Sequence, residues 1–64
     1  MGKQAVKITQ NKRLELIRQM LLIKGEVLVD ELVGRFNVSL MTVHRDLDIL
    51  EKSGEVIKTH GGAT

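Results

Sequence analysis

Behind Ser39 the apolar residues Val43, Leu47 and Leu50 recur at spacings of four and three. That spacing lines one side of a helix and no side of a strand. Ser39 suits the N-cap, since its hydroxyl can accept from a free N–H of the first turn. Thr42, His44, Arg45 and Asp48 fall off the stripe. Any fold of this chain must therefore bury one face of a helix over 39–53 and leave a chemically mixed face outside. The core against which it packs must be aliphatic. Hydrophobic residues make up 42% of the 64, with Phe36 the single aromatic and no cysteine or proline. A chain this short permits one domain with a small core and marginal stability.

Two further helices are predicted upstream. Leu14, Ile17 and Leu21, with Met20 at the edge, form a stripe over 10–24. Lys24-Gly25 ends it with a last-turn cation and a residue free to turn left-handed. Residues 30–36 carry Asp30 and Glu31 in a first turn, where the helix dipole favours acids, and Leu32 and Phe36 four apart. Gly34 is expected on their exposed side, at about 1 kcal/mol relative to Ala. Asn37 is a plausible left-handed residue, and Val38 is expected to plug the inside of the tight turn. Two short helices so joined make a helix-turn-helix. Glu26-Val27-Leu28-Val29 reads as a short strand whose expected partner is Val56-Ile57-Lys58. Gly54 ends the third helix. Residues 55–60 read as a strand, Gly61-Gly62 as a turn and Ala63-Thr64 as the start of a return strand. The expected architecture is mostly α with a small β-sheet: three helices and a β-hairpin wing over 9–64, preceded by a flexible arm over 1–8.

Glu31-Leu32, Phe36, Val38-Ser39, Thr42-Val43, Arg45-Asp46-Leu47, Leu50-Glu51, Gly54 and His60-Gly61-Gly62-Ala63 together resemble the N-terminal DNA-binding domain of the DeoR family of bacterial transcriptional regulators. The likeness runs from about Arg13 to Ala63. It joins a helix-turn-helix to a terminal His-Gly-Gly-Ala, so it is more specific than either alone. The family usually carries two consecutive arginines where this chain has His44-Arg45, a departure that bears on which bases are read. The resemblance implies a sequence-specific DNA-binding domain of a cytoplasmic repressor of sugar-metabolism genes. It also implies a C-terminal domain, missing here, that binds a sugar phosphate and brings about homo-oligomerisation. The fragment is then expected to be a monomer. A second class of function, a winged helix that meets a protein instead of DNA, uses the same mixed face.

Arg45 is the leading candidate for base contact, through a bidentate pair to guanine. Ser39 and Thr42 can hold phosphate or base through their hydroxyls, and His44 can donate to a base edge or phosphate. Leu40 and Met41 suit a thymine methyl. Arg13, near the start of a helix that the resemblance lays beside the DNA backbone, is a candidate phosphate contact. Lys58, His60, Gly61 and Gly62 are wing candidates for phosphate or minor groove. Asp46 would repel phosphate and is expected to pair with a basic side chain or backbone. Charge is uneven: residues 1–24 carry +5 and residues 25–55 carry −4, within a net +2. Such asymmetry can orient a protein on a polyanion.

No catalytic constellation, phosphate loop or metal-ligand cluster is present in the sequence, so neither an enzyme nor a cofactor is expected. With two histidines and no cysteine, a metal site is not expected either. No apolar run approaches membrane-spanning length, and the first lysines are not followed by a signal-length apolar stretch.

Overall fold

The computed structural model describes residues 8–64. The order is α1 (Gln10–Lys24), β1 (Val27–Leu28), α2 (Val29–Phe36), α3 (Leu40–Lys52), β2 (Lys58–Thr59) and β3 (Gly62–Ala63). Three helices and a three-stranded antiparallel sheet make a winged helix-turn-helix. The expected arm lies outside the described residues except at its last position. Ile8 packs against the core and belongs to the domain.

Each helix boundary has a local cause. Thr9 caps α1 by accepting from the Lys12 N–H at 3.2 Å, and Gly25 closes it at φ +83°. Ser39 caps α3 by accepting from Thr42 N–H at 3.1 Å. At the far end the Gly54 N–H donates to the Glu51 carbonyl and the Glu55 N–H to the Leu50 carbonyl, both at 2.9 Å, with Gly54 left-handed. Those paired bonds satisfy carbonyls that a helix end leaves open. Asn37 adopts φ 55° between α2 and α3, and Val38 packs beneath the turn. α2 begins at Val29, one residue before its acids, and no side chain caps it. Instead the Val29 N–H donates to the Gly61 carbonyl at 2.8 Å, so the wing turn caps the first helix of the helix-turn-helix.

The core gathers Leu14 and Ile17 of α1, Val27, Val29, Leu32 and Phe36, then Val43, Leu47 and Leu50 of α3, with Val56 and Ala63 from the wing. Ile17, Leu32, Leu47 and Leu50 are wholly buried. Burial of such side chains contributes about 1.5–3 kcal/mol each.

The sheet order, β1-β3-β2, corrects one expectation. β1 does not pair with Val56-Ile57-Lys58. It pairs with the return strand, Val27 opposite Ala63 and Leu28 opposite Gly62, and β3 separates it from β2. Gly62 therefore belongs to the central strand and His60-Gly61 is the turn. The physical reason is space. A Cβ on Gly62 would collide with the Val27 carbonyl oxygen and come within 3.1 Å of the Leu28 Cα. Glycine lets the two backbones meet.

Gly62→Ala should thus force β1 away from β3. An overpacked site of this kind costs about 1–3 kcal/mol. Urea denaturation followed by circular dichroism should show the midpoint fall. The Gly34→Ala control, where the added Cβ meets open space, should hold the midpoint or raise it.

Candidate nucleic-acid interface

α3 presents two faces of opposite chemistry. Val43, Asp46, Leu47 and Leu50 are buried, while Leu40, Met41, His44, Arg45 and Asp48 are exposed. Met41, His44, Arg45 and Asp48 lie at helical spacing on one outer stripe. Thr42 is half-buried at the edge, and its Oγ1 lies 3.0 Å from the Ser39 Oγ. These two hydroxyls sit together at the helix N-terminus, where backbone N–H groups and the dipole favour an anion.

Arg45 has no side-chain partner among the described residues. The acids that follow it on α3 are engaged elsewhere. Asp48 accepts from the Lys58 ammonium and Glu51 accepts from the Lys58 backbone N–H at 3.3 Å. The Lys58 bond holds the Asp48 carboxyl below its ordinary range, and the same bond holds the ammonium above its own. The wing strand is thereby tied to α3, and Lys58 faces an acid of the helix.

Two other candidate sites, Arg13 and Gly62, differ from expectation. Arg13 is buried: its Nε donates to Asp46 Oδ2 at 2.5 Å, its Nη2 to Asp46 Oδ1 at 3.2 Å and its Nη1 to the Ile8 carbonyl at 2.9 Å. The hydrogen bond to Asp46, the largest influence, holds the guanidinium above its ordinary range. With bonds from Nε, Nη1 and Nη2 turned inward and the side chain buried, Arg13 is not presented to a phosphate in this conformation. Gly62 is buried in the sheet and presents no surface to a ligand. Gly61 is exposed at the turn with φ +90°, but its carbonyl is held by Val29. His60 stands exposed beside it. Asp46 pairs with a basic side chain, as expected, but from a wholly buried position. Spacing could have placed it, because Asp46 follows Val43 by three on the buried stripe.

The sequence's basic N-terminal region is also quieter in space than in order. Lys12 pairs with Glu15, Arg18 with Glu55 and Lys24 with Glu31. Among the described residues, Arg35, Arg45 and Lys52 have no acid within ion-pair distance, and two of these three are on α3. Exposed positive charge is thus displaced from α1 toward the helix with the mixed face.

Among the described residues no cluster of His, Cys, Asp or Glu could hold a metal ion, and no helix is long and apolar enough to cross a membrane. The buried stripe, the tight turn and the wing are those of a winged helix-turn-helix DNA-binding domain. Residues 13–64 match the family model for the DeoR-like helix-turn-helix domain, and the chain belongs to that family. The family is one of DNA-binding domains of transcriptional regulators. It is 43% identical over 56 residues to the lactose phosphotransferase system repressor of Lactococcus lactis subsp. lactis, covering 88% of this chain and 22% of that protein. The identity and coverage are the same for the protein of that name from Staphylococcus aureus strain NCTC 8325. An uncharacterized HTH-type transcriptional regulator of Escherichia coli K12, YgbI, is 45% identical over 51 residues, 80% of this chain and 20% of that protein. The chain spans about a fifth of the length of these curated relatives. No solved structure gives a significant match.

The Glu55 ion pair yields a pH dependence. Arg18 donates to Glu55 at 2.5 and 3.1 Å, and the Ser53 hydroxyl donates at 2.6 Å. Those bonds lower the Glu55 carboxyl from 4.5 to about 2. A depressed carboxyl contributes stability above its unfolded value and loses it as pH falls toward its folded value. Denaturant midpoints should therefore drop between about pH 4.5 and pH 2. Glu55→Gln should flatten part of that slope while lowering the midpoint at neutral pH, as urea titrations at several pH values would show.

Proposed function

We propose that α3 enters the major groove of operator DNA, with Arg45 donating to a guanine edge. Ser39 and Thr42 take phosphate at the helix start, and His44 reads a neighbouring base or phosphate. Leu40 and Met41 lie where thymine methyls would pass. His60 and the exposed side of Gly61 lie along the adjacent backbone or minor groove, with Lys58 nearby. The observation that carries this reading is Arg45: an exposed guanidinium on the outer stripe of the second helix of the motif, without a side-chain partner among the described residues. A planar fork so placed suits bidentate base contact.

The regulated genes on this reading are those of sugar metabolism, and the action is repression, in keeping with relatives named as lactose phosphotransferase system repressors. Homo-oligomerisation and sugar-phosphate sensing belong on this reading to sequence outside these 64 residues. The domain itself binds as a monomer in the cytoplasm. Few phosphates are neutralised, so its affinity is weak and falls steeply with salt.

Titration of a nitrogen-15-labelled chain with duplexes enriched from a random pool tests the interface. Amide shifts should concentrate on 39–48 and on the wing turn. Shifts confined to the opposite face of the domain would reject the assignment. Arg45→Ala should weaken binding to the enriched duplex by about 1–3 kcal/mol and relax the preference at one base pair. An unchanged affinity would instead favour a protein partner for the mixed face.

A further inference from the structure

We infer that Arg13 and Asp46 are positioning residues for sequence reading, which set the direction of Arg45 by fixing the rotation of α3 about its axis. The inference rests on the major-groove reading above. Asp46 is the chain neighbour of Arg45, yet its side chain is 0% exposed. Both of its oxygens are occupied. Oδ2 accepts from Arg13 Nε at 2.5 Å. Oδ1 accepts from Arg13 Nη2 at 3.2 Å and from Gln10 Nε2 at 3.3 Å. The third arm of Arg13 reaches the Ile8 carbonyl. All these donors come from the first turn of α1, and the carbonyl from the residue just before its cap. One end of α1 is thus bonded to the middle of α3.

The other buried contacts of α3 are aliphatic, through Val43, Leu47 and Leu50. Apolar burial is non-directional. An aliphatic stripe tolerates small rotations and repacking, losing uniqueness before stability. A forked guanidinium on a carboxylate does not, because both bonds need one planar geometry. In a rigid helix, any rotation that moves Asp46 swings Arg45 through the same angle. A 1 Å error at a base edge is enough to lose a bidentate pair. Stability alone does not account for the arrangement. Buried ion pairs replaced whole by apolar residues of similar volume are often as stable or more so.

The test compares selectivity with general affinity. The 64-residue chain is used to enrich duplexes from a random pool. Dissociation constants are then measured at fixed salt for the enriched duplex and for a shuffled one of equal composition. The double variant Arg13→Met with Asp46→Leu, checked by circular dichroism and its amide spectrum, should fold. Its ratio of shuffled to enriched constants should fall about tenfold, the scale of one lost bidentate contact. Its affinity for the shuffled duplex should stay within about twofold. A phosphate contact by Arg13 would weaken both duplexes equally, and that result overturns the inference. So does a folded variant that keeps the wild-type ratio. If the double variant fails to fold, Arg13→Lys decides on the same ratio. It keeps the charge and loses the fork, so loss of selectivity supports the inference and retention overturns it. A wild-type chain with no preferred duplex fails the major-groove reading instead, before either variant is measured.

Discussion

Among the described residues, a single buried polar contact runs through a core that is otherwise apolar: the forked bond between Arg13 and Asp46. Two charges taken out of water lose hydration that only close geometry and filled bonding sites can offset. Here both carboxylate oxygens and three guanidinium nitrogens are engaged, and no buried side-chain polar atom among the described residues lacks a partner. Breaking one half would strand the other in the core. The pair therefore admits few compromises, and the neighbouring elements conform to it. α1 must present its first turn to the middle of α3, Ile8 must turn its carbonyl inward, and α3 must keep one face down.

With α3 so oriented, its outer face becomes available by subtraction. Asp48 and Glu51 turn to Lys58, Glu55 to Arg18 and Glu31 to Lys24. Of the acids that could have quenched Arg45, Asp48 is held by the Lys58 ammonium and Glu51 by the Lys58 backbone N–H. Each exposed pair is worth little as stability. Their collective effect is on the pattern of charge, because they neutralise α1 and leave uncompensated cations on α3. Arg13, Arg18 and Lys24 of the basic segment each pair with an acid of the acidic one, so net charge by region was a poor guide to the surface field of the described residues.

Much of this was readable from residue types. The limits of α1, the cap at Ser39, the left-handed Asn37 and the glycine stops at Gly25 and Gly54 follow from local backbone chemistry, which needs no knowledge of distant neighbours. The strand pairing did not follow. Val56-Ile57-Lys58 carries the β-branched signal, whereas Gly62-Ala63 carries none. Strand preference measures how side chains fit a sheet, and here the decisive requirement was the lack of one. Arg13 was misplaced for a related reason. A charged residue beside a DNA-facing helix defaults to the surface, and only its pairing with an acid on the buried stripe of α3 moves it inside. Thr9 escaped notice because its cap follows a segment without periodicity. In the candidate interface, Arg45, His44 and Met41 stand where helical spacing puts them, while Gly62 does not.

The bond from Val29 to the Gly61 carbonyl, and the pairing of Val27 with Ala63, join the middle of the chain to its last residues. During synthesis the helices emerge first, and the strand that closes the sheet emerges after them. Until the ribosome has released residues 62 and 63, β1 has an open edge and α2 an uncapped start. The domain thus closes only once the wing has emerged, and a nascent chain halted before it would expose an unpaired strand to its neighbours.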